Sequence, residues 1–397
     1  MLQLGKGGRN MDKDKLSEAE LSYWLAFDSL GTTNVYRALV RRLVDRFQGI
    51  AEAWRASSSE LKGIGGLSQE TIDNLDAKRQ EAEPEKLLQE LTESGVQAFP
   101  FTDVRYPYRL RQTADCPLIL YVCGELRDHD FNHAVAVVGT RRPTSYGQTV
   151  AKDIGRGLAA NGVVVVSGMA LGIDSIAHWG AIEGGGRTVA VVGSGPDLCY
   201  PSTNRRLYSE ILEGGHGAIV SEYFPGVEAD KWRFPARNRI ISGLSAATVV
   251  VEAGQTSGAL ITARLAFEQD REVFAVPGRV DSPMSEGTNE LFINTMAKMC
   301  RNHADVLSEM NWVRTTVREM TTVVQLYGKE KDIYQMLSNE PVHFDVICEE
   351  TKMQAGELSA ALTMLELAGL ITRHPGDWYS KQQPGDVKFA PTRAQRN

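Results

Sequence analysis

Residues 231 to 245 read KWRFPARNRIISGLS, which places Lys231, Arg233, Arg237 and Arg239 within nine positions and no carboxylate among them. Trp232 and Phe234 stand between these cations, and the apolar pair Ile240 and Ile241 follows at once. Guanidinium and ammonium groups neutralise phosphates, and aromatic rings stack on unpaired bases, whereas a duplex hides its bases. The strip therefore suits a groove that tracks a single nucleic-acid strand, with Trp232 or Phe234 as a stacking platform. It reads equally as scaffold, its arginines paired with Glu222, Glu228 and Asp230 while Phe234 and Trp232 fill the core. Both readings stay open at this level.

Three other turns have anion chemistry. In VVGTRRPTSYG, a glycine turn at a helix start offers backbone N–H groups and Arg141 to a phosphate. SGMALGID supplies a second such turn at Ser167 and Gly168, and TSGALITA a third at Ser257 and Gly258. Along one sheet edge, three such turns joined by the basic strip suit a chain of phosphates. Catalytic sets are not assembled. The turn after the first apolar run is not G-x-G-x-x-G, no G-x-x-x-x-G-K-[ST] occurs, and Ser194 in GSG lacks the G-x-S-x-G elbow. Asp174 and His178 lie four apart on one helical face, open to an acid–base or metal reading. A metal would need a further ligand, which the sequence does not nominate, so the expectation is that Asp174 caps amides and His178 packs. Cofactors and metals are not expected.

The turns need strands to hold them. HAVAVVGT, GVVVVSGMA, RTVAVVGSG, GAIVSEYF, ATVVVEAG and REVFAVPG are nearly continuous apolar runs, as strands buried on both faces should be. Helical stretches such as TSYGQTVAKDIGRGLAANG lie between them, which predicts an α/β, Rossmann-like, doubly wound, mostly parallel sheet. Most of these runs end in glycine or serine, so ligand-accessible backbone lines the carboxyl edge. This domain is expected over 96–311. Before it, 11–95 reads as a helical domain resembling SAM or helix-hairpin-helix modules, whose Gly63-Ile64-Gly65 turn is either a phosphate approach or a simple tight turn. After a linker at 312–328, residues 329–383 follow the helix–helix–helix–strand-pair order of a winged helix. Its last helix, AGELSAALTMLELAGL, has Glu357 and Glu366 and no Lys or Arg, which favours a protein-interaction or structural role over base reading. Residues 1–10 and 384–397 read as a flexible N-terminus and a disordered tail.

Composition sets the frame. A chain of 397 residues predicts two or three domains, and 42% hydrophobic residues with 37 glycines suit a large α/β portion. No apolar stretch nears the roughly 20 residues of a membrane span. Five scattered cysteines without a C-x-x-C pair argue for buried thiols in a reducing cytosol, not disulfides or zinc. A net charge of −7 disfavours indiscriminate nucleic-acid binding but not a focused basic groove.

The stretches VVGTRRPTSYG, VVSGMALGIDSIAHWGAI, GRTVAVVGSGPDLCYPSTNRRL, SEYFPG, FPARNRIISGLSAATVVVEAGQTSGALITARLAFEQDREVFAVPG and EGTNELF resemble, in order and spacing, the DNA-processing protein A (DprA, or Smf) family. The resemblance spans most of residues 100–300. It implies a cytoplasmic, non-enzymatic protein that binds single-stranded DNA, displaces single-strand-binding protein and loads the RecA recombinase during natural transformation, acting as a homodimer. It also implies that Arg141, Ser167, Gly168, Lys231 and Phe234 contact DNA. Arg237 and Arg239 would complete a basic pocket, unless they brace the fold through buried ion pairs. A rival is a nucleotide-acting enzyme of the lysine-decarboxylase-like phosphoribohydrolase type, but EAGQTSGALITA lacks that group's P-G-G-x-G-T-x-x-E. A third reading is duplex binding through the winged helix.

Overall fold

The computed structural model describes residues 16–312 and 328–381, apart from 32, 65–66, 128, 339–340, 368–369 and 375. The expected flexible N-terminus, nearly all of the linker, the tail from 384, and Gly65 and Gly66 of the helical turn lie outside the described residues. Two compact units divide the chain at 313/314.

All six apolar runs are strands of one nine-stranded sheet: β3 (Ala134–Val138), β4 (Val164–Ser167), β5 (Thr188–Val191), β6 (Gly217–Ser221), β7 (Ala247–Val250) and β8 (Glu272–Ala275). The sheet also contains β1 (Gln97–Pro100), β2 (Ile119–Gly124) and β9 (Lys298–Met299). Its order is β1-β2-β6-β5-β4-β3-β7-β8-β9. The block from β6 to β9 is parallel, and β1 and β2 close one edge antiparallel. From β3 the chain winds outward through β4, β5 and β6, then returns to β7 on the other side of β3. The winding direction thus reverses between β3 and β7, where a doubly wound sheet leaves a crevice at its carboxyl edge.

Alternation within each strand sends side chains to opposite layers. Ala134, Ala136 and Val138 pack with Ile240, Ile241 and Ala263 of helices Arg233–Leu244 and Gly258–Glu268. Val135 and Val137 face the other layer, with Ile154, Leu158 and Ala177 of helices Ser145–Ala160 and Ile173–Glu183. The fold is therefore the expected Rossmann-like, mostly parallel α/β sheet.

The N-terminal helices start with designed caps. Ser17 and Ser57 each form a capping box with the glutamate three residues on, Glu20 and Glu60. Their core is continuous with the sheet: Trp24, Phe27, Val40 and Leu43 pack with Leu118, Ile119 and Tyr121 at β2. Helix Asn34–Phe47 also reaches into the sheet domain through two arginines. Arg37 bonds the Glu222 carboxylate, and Arg41 donates to the carbonyls of Ala114 (2.7 Å) and Cys116. Glu222 in turn accepts two parallel hydrogen bonds from Arg239, at 2.8 and 2.7 Å. One buried carboxylate thereby clamps the helical module, the end of β6 and helix Arg233–Leu244.

The second unit has helices Gly328–Met336, Phe344–Thr351 and Ala355–Leu367, and strands β10 (Val342–His343), β11 (Ile371–His374) and β12 (Trp378–Lys381), paired in the order β10-β12-β11. Ile333, Leu337, Ile347, Leu358, Leu362 and Ile371 form its core. This is the expected winged helix.

Removing Glu222 would strand two buried guanidinium groups, a change that typically costs about 3–5 kcal/mol. Urea unfolding of Glu222→Ala is expected to show a loss of that size, and Glu222→Gln a smaller one. An unchanged midpoint for Glu222→Ala would show that the clamp contributes nothing.

Candidate nucleic-acid interface

The crevice between β3 and β7 is a cavity of about 610 Å³. Its walls come from the strand-end turns at Gly139–Arg141 and Gly254–Gly258, and from the start of helix Arg233–Leu244 with Lys231, Phe234 and Arg237. A smaller recess of about 90 Å³ adjoins it, sharing Arg141, Phe234 and Arg237 and adding Gly168 and Leu171. Of the nine residues singled out in the sequence, Arg141, Lys231, Phe234, Arg237, Ser257 and Gly258 meet at the larger cavity and Gly168 at the recess; Ser167 and Arg239 line neither.

Two of the three anion-accepting turns are already filled by the protein's own carboxylates. Asp174 is buried at the start of its helix and accepts from the backbone N–H groups of Gly139, Gly168 and Ala170, the Gly168 bond measuring 3.1 Å. Burial raises the Asp174 carboxyl above its usual range, and the Arg237 guanidinium and the three amides oppose that shift. Glu252, buried at the end of β7, does the same for the GTRRPTS turn. Its carboxylate accepts from the Thr144 N–H (2.9 Å) and hydroxyl (2.6 Å), and its carbonyl from the Thr140 N–H (2.7 Å). Expected donors at these turns are therefore committed to the fold. The Ser167 hydroxyl likewise donates to the Val137 carbonyl at 2.6 Å, fully buried between strands, and offers nothing to a phosphate. Gly168 has a different job. A Cβ there would come within 2.7 Å of both the Arg237 guanidinium and the Asp174 carboxylate, so the glycine admits their approach.

Arg237 is buried and donates through Nη1 to the carbonyls of Gly168 (2.7 Å) and Val191. Burial pushes its guanidinium down to about 10, with Asp174 opposing and Arg141 reinforcing that shift. It is both a brace and a wall of the cavity. Arg239 is brace alone: beyond Glu222 it donates to the carbonyls of Asp115 and Ala236, both at 3.0 Å. The expected basic pocket thus loses Arg239, because its helix turns that side chain toward the buried Glu222.

The open side of the cavity is formed by exposed groups. Arg141 and Lys231 are exposed cations, and the Arg141 guanidinium lies 5.7 Å from the centre of the Phe234 ring. Phe234 stacks on Tyr200, with centroids 5.3 Å apart and planes 27° from parallel. Tyr200, half exposed, is the accessible end of this stack. The third turn remains available: Ser257 caps its helix by accepting from the Ala259 N–H (3.3 Å), and beside it the Gly258 backbone is exposed, with open space where a side chain would be. Cation, aromatic stack and open helix start together suit a phosphate next to an unpaired base.

His178 does not join a catalytic pair. The Thr188 hydroxyl donates to the Val165 carbonyl (2.7 Å), so His178 Nδ1–H must donate to that hydroxyl (2.6 Å). Burial, reinforced by Arg237, pulls its imidazole down to about 3. Ser194 is buried too, bonded to backbone carbonyls. Among the described residues, no cluster of three His, Cys, Asp or Glu side chains is placed to hold a metal ion.

Sequence reasoning missed Tyr200 and Glu252. Tyr200 lies in the loop after β5, in DLCYPSTN, where an aromatic beyond a strand's carboxyl end is a usable signal. Glu252 closes the apolar run ATVVVEAG, and an acid in that position announces a buried acceptor.

Residues 97–311 match the family model described as DNA recombination-mediator protein A, and residues 322–377 match the DprA winged helix domain. Protein Smf of Synechocystis is 32% identical, the alignment covering 92% of this chain and all of that protein. DNA processing protein DprA of Streptococcus pneumoniae is 41% identical over 54% of this chain and 74% of its own length. The X-ray structure of DNA processing protein A from Streptococcus pneumoniae superposes with a TM-score of 0.63 at 32% identity, covering 74% of this chain and 98% of that one.

Two outcomes follow from the buried groups. Glu252→Ala leaves the Thr144 N–H and hydroxyl without their acceptor, at a cost of about 1–3 kcal/mol. Hydrogen exchange at Thr144 should accelerate in that variant and stay nearly native in Glu252→Gln; equal exchange in all three proteins would contradict the role. His178 titrates below its ordinary value of 6.5. Stability from the neutral ring is therefore full above pH 6.5 and declines as pH falls toward 3. Melting temperatures of His178→Gln should depend less on pH between 6.5 and 4.5 than those of the native chain, and parallel curves would refute this.

Proposed function

Since this chain belongs to the DNA recombination-mediator protein A (DprA/Smf) family, we propose that it is a single-stranded DNA-binding recombination mediator. Its role is to protect incoming single strands and load the RecA recombinase on them during natural transformation. A DNA-processing role is the family's; the strand preference and the partners are this proposal. The observation that carries it is the cavity at the sheet's reversal point, where Arg141 and Lys231 flank the Tyr200–Phe234 stack. Cations position the backbone, and a stack with an accessible end rewards a base that is not paired. Arg141, Lys231 and the Ser257–Gly258 turn hold phosphate, and the stack holds the base. Displacing single-strand-binding protein, acting as a homodimer and working in the cytoplasm complete the proposal; no helix among the described residues is long and apolar enough to cross a membrane.

The alternative of a nucleotide hydrolase needs a carboxylate free to act on a ribosyl bond. Asp174 is the one acid among the described residues lining the cavity, and three amides and Arg237 already engage it. Binding without catalysis is the reading these contacts favour. Duplex binding through the winged helix is disfavoured by helix Ala355–Leu367, which has Glu357 and Glu366 where a groove reader places cations or amides.

Fluorescence anisotropy with labelled oligo-dT, competed by duplex of equal length over a salt series, tests the reading. Single strand should win, and Arg141→Ala should weaken binding and reduce the slope of log affinity against log salt by about 0.7. Equal affinity for duplex, or an unchanged slope in Arg141→Ala, would overturn the assignment. Release of free base from nucleoside monophosphates would instead revive the hydrolase.

A further inference from the structure

Trp232 lies outside the cavity, exposed yet contacted on several sides. The residue is 53% exposed. Its Nε1–H donates to the Asp230 carboxylate at 2.8 Å. The Arg233 guanidinium sits 5.2 Å from its ring centre and 4.7 Å from that of Tyr223, and the Tyr223 ring meets the indole edge-on at 6.3 Å and 89°. Arg233 is itself fixed, donating to the Glu228 carbonyl at 2.5 Å. An exposed indole that merely escaped burial would be free to turn. This one has its orientation set by a hydrogen bond, a cation and an aromatic edge, so the ordering entropy of a stacking surface is already spent.

We propose that Trp232 is a second base-stacking platform, taking an unpaired nucleobase of the strand just outside the cavity. This rests on the single-strand reading above and extends it from one contact point to two. The place follows from continuity. Lys231, immediately before it, and Phe234, two residues after it, both line the cavity, so a strand seated there passes this helix start as it leaves. The ligand class follows from local charge. With Lys231 turned to the cavity, the one cation left beside the indole is Arg233, and Glu228 and Asp230 stand next to it, so the patch has no surplus charge for an additional phosphate; Asp230 is engaged with the indole N–H. What it presents is a π-face, which every base can use whatever its sequence. Trp232 therefore contributes affinity without adding to the salt slope, unlike Arg141 and Lys231.

The test uses the full chain, with oligo-dT of about 20 nucleotides and oligo-dT of about 3, read by anisotropy and by tryptophan fluorescence. With the longer strand, Trp232→Ala should bind about 5- to 150-fold more weakly at an unchanged salt slope. Trp232→Phe should recover much of that loss. Quenching of native fluorescence by the longer strand should largely vanish in Trp232→Phe, because none of the other five tryptophans belongs to this helix start. With the short strand, chosen to seat in the cavity without reaching Trp232, native and Trp232→Ala should bind alike. If the native chain binds the longer strand and Trp232→Ala binds it equally, the platform is refuted while the cavity reading stands. If Trp232→Ala instead lowers only self-association, the ring belongs to a protein contact and the proposal also falls. If the native chain binds neither strand, the single-strand reading itself has failed.

Discussion

Everything at the cavity hangs on the burial of Asp174. Its carboxylate gathers the amides of Gly139, Gly168 and Ala170, which belong to the turns after β3 and β4, and it faces Arg237 from the helix that leads into β7. Two strand-end turns and one helix are thereby referred to a single buried anion. Burying a lone carboxylate is expensive, and such a site persists only when donors surround it. The donors here are backbone, whose positions the sheet fixes, so the charge and the sheet edge stabilise each other. Arg237 then has no freedom: it reaches the Gly168 and Val191 carbonyls, and its presence demands a residue without Cβ at 168.

Filling two turns with internal carboxylates changes what the edge can hold. A phosphate at the Gly168 amide would displace Asp174, and one at the start of helix Ser145–Ala160 would meet Glu252. The Ser257–Gly258 turn is left as the open backbone seat, close to the exposed Arg141 and Lys231. A chain of phosphates along three turns is thus not what this geometry accommodates. One seat beside an aromatic stack is.

Much of this was legible in the sequence, and the limits have physical causes. The six buried strands announce themselves because both faces are covered and their runs are uninterrupted. β1 and β9 do not, since edge strands such as QAFP and the two-residue KM leave short or mixed patterns, whereas β2, ILYVCG, is itself a continuous apolar run that sequence reasoning missed. The glycine turns were visible, but whether their amides face a ligand or an internal acid depends on Asp174 and Glu252, whose reach across the edge no spacing rule encodes. The opening strip split along its own helix. Arg239 turned inward to Glu222, Arg237 became wall and brace together, and Lys231 and Trp232 stayed outside. Of the two readings offered for it, the scaffold one holds for Arg239 and in part for Arg237, and the groove one is carried by the proposal for Lys231 and Phe234.

That split has an energetic consequence for how an acidic protein would hold a polyanion. With a net charge of −7, the long-range field opposes approach, and at physiological ionic strength charges beyond about 8 Å are largely screened. Recognition must then come from short-range contacts. Arg141 and Lys231 are the exposed cations of the cavity wall; Arg237 is partly offset by Asp174, and Arg239 is spent on Glu222. Few phosphates can be neutralised by so small a set, so counterion release supplies only part of the affinity. The remainder must come from rings, whose attraction does not depend on salt. On the proposed reading, a binder built this way would hold a strand by its unpaired bases more than by its charge, and would discriminate against duplex for the same reason.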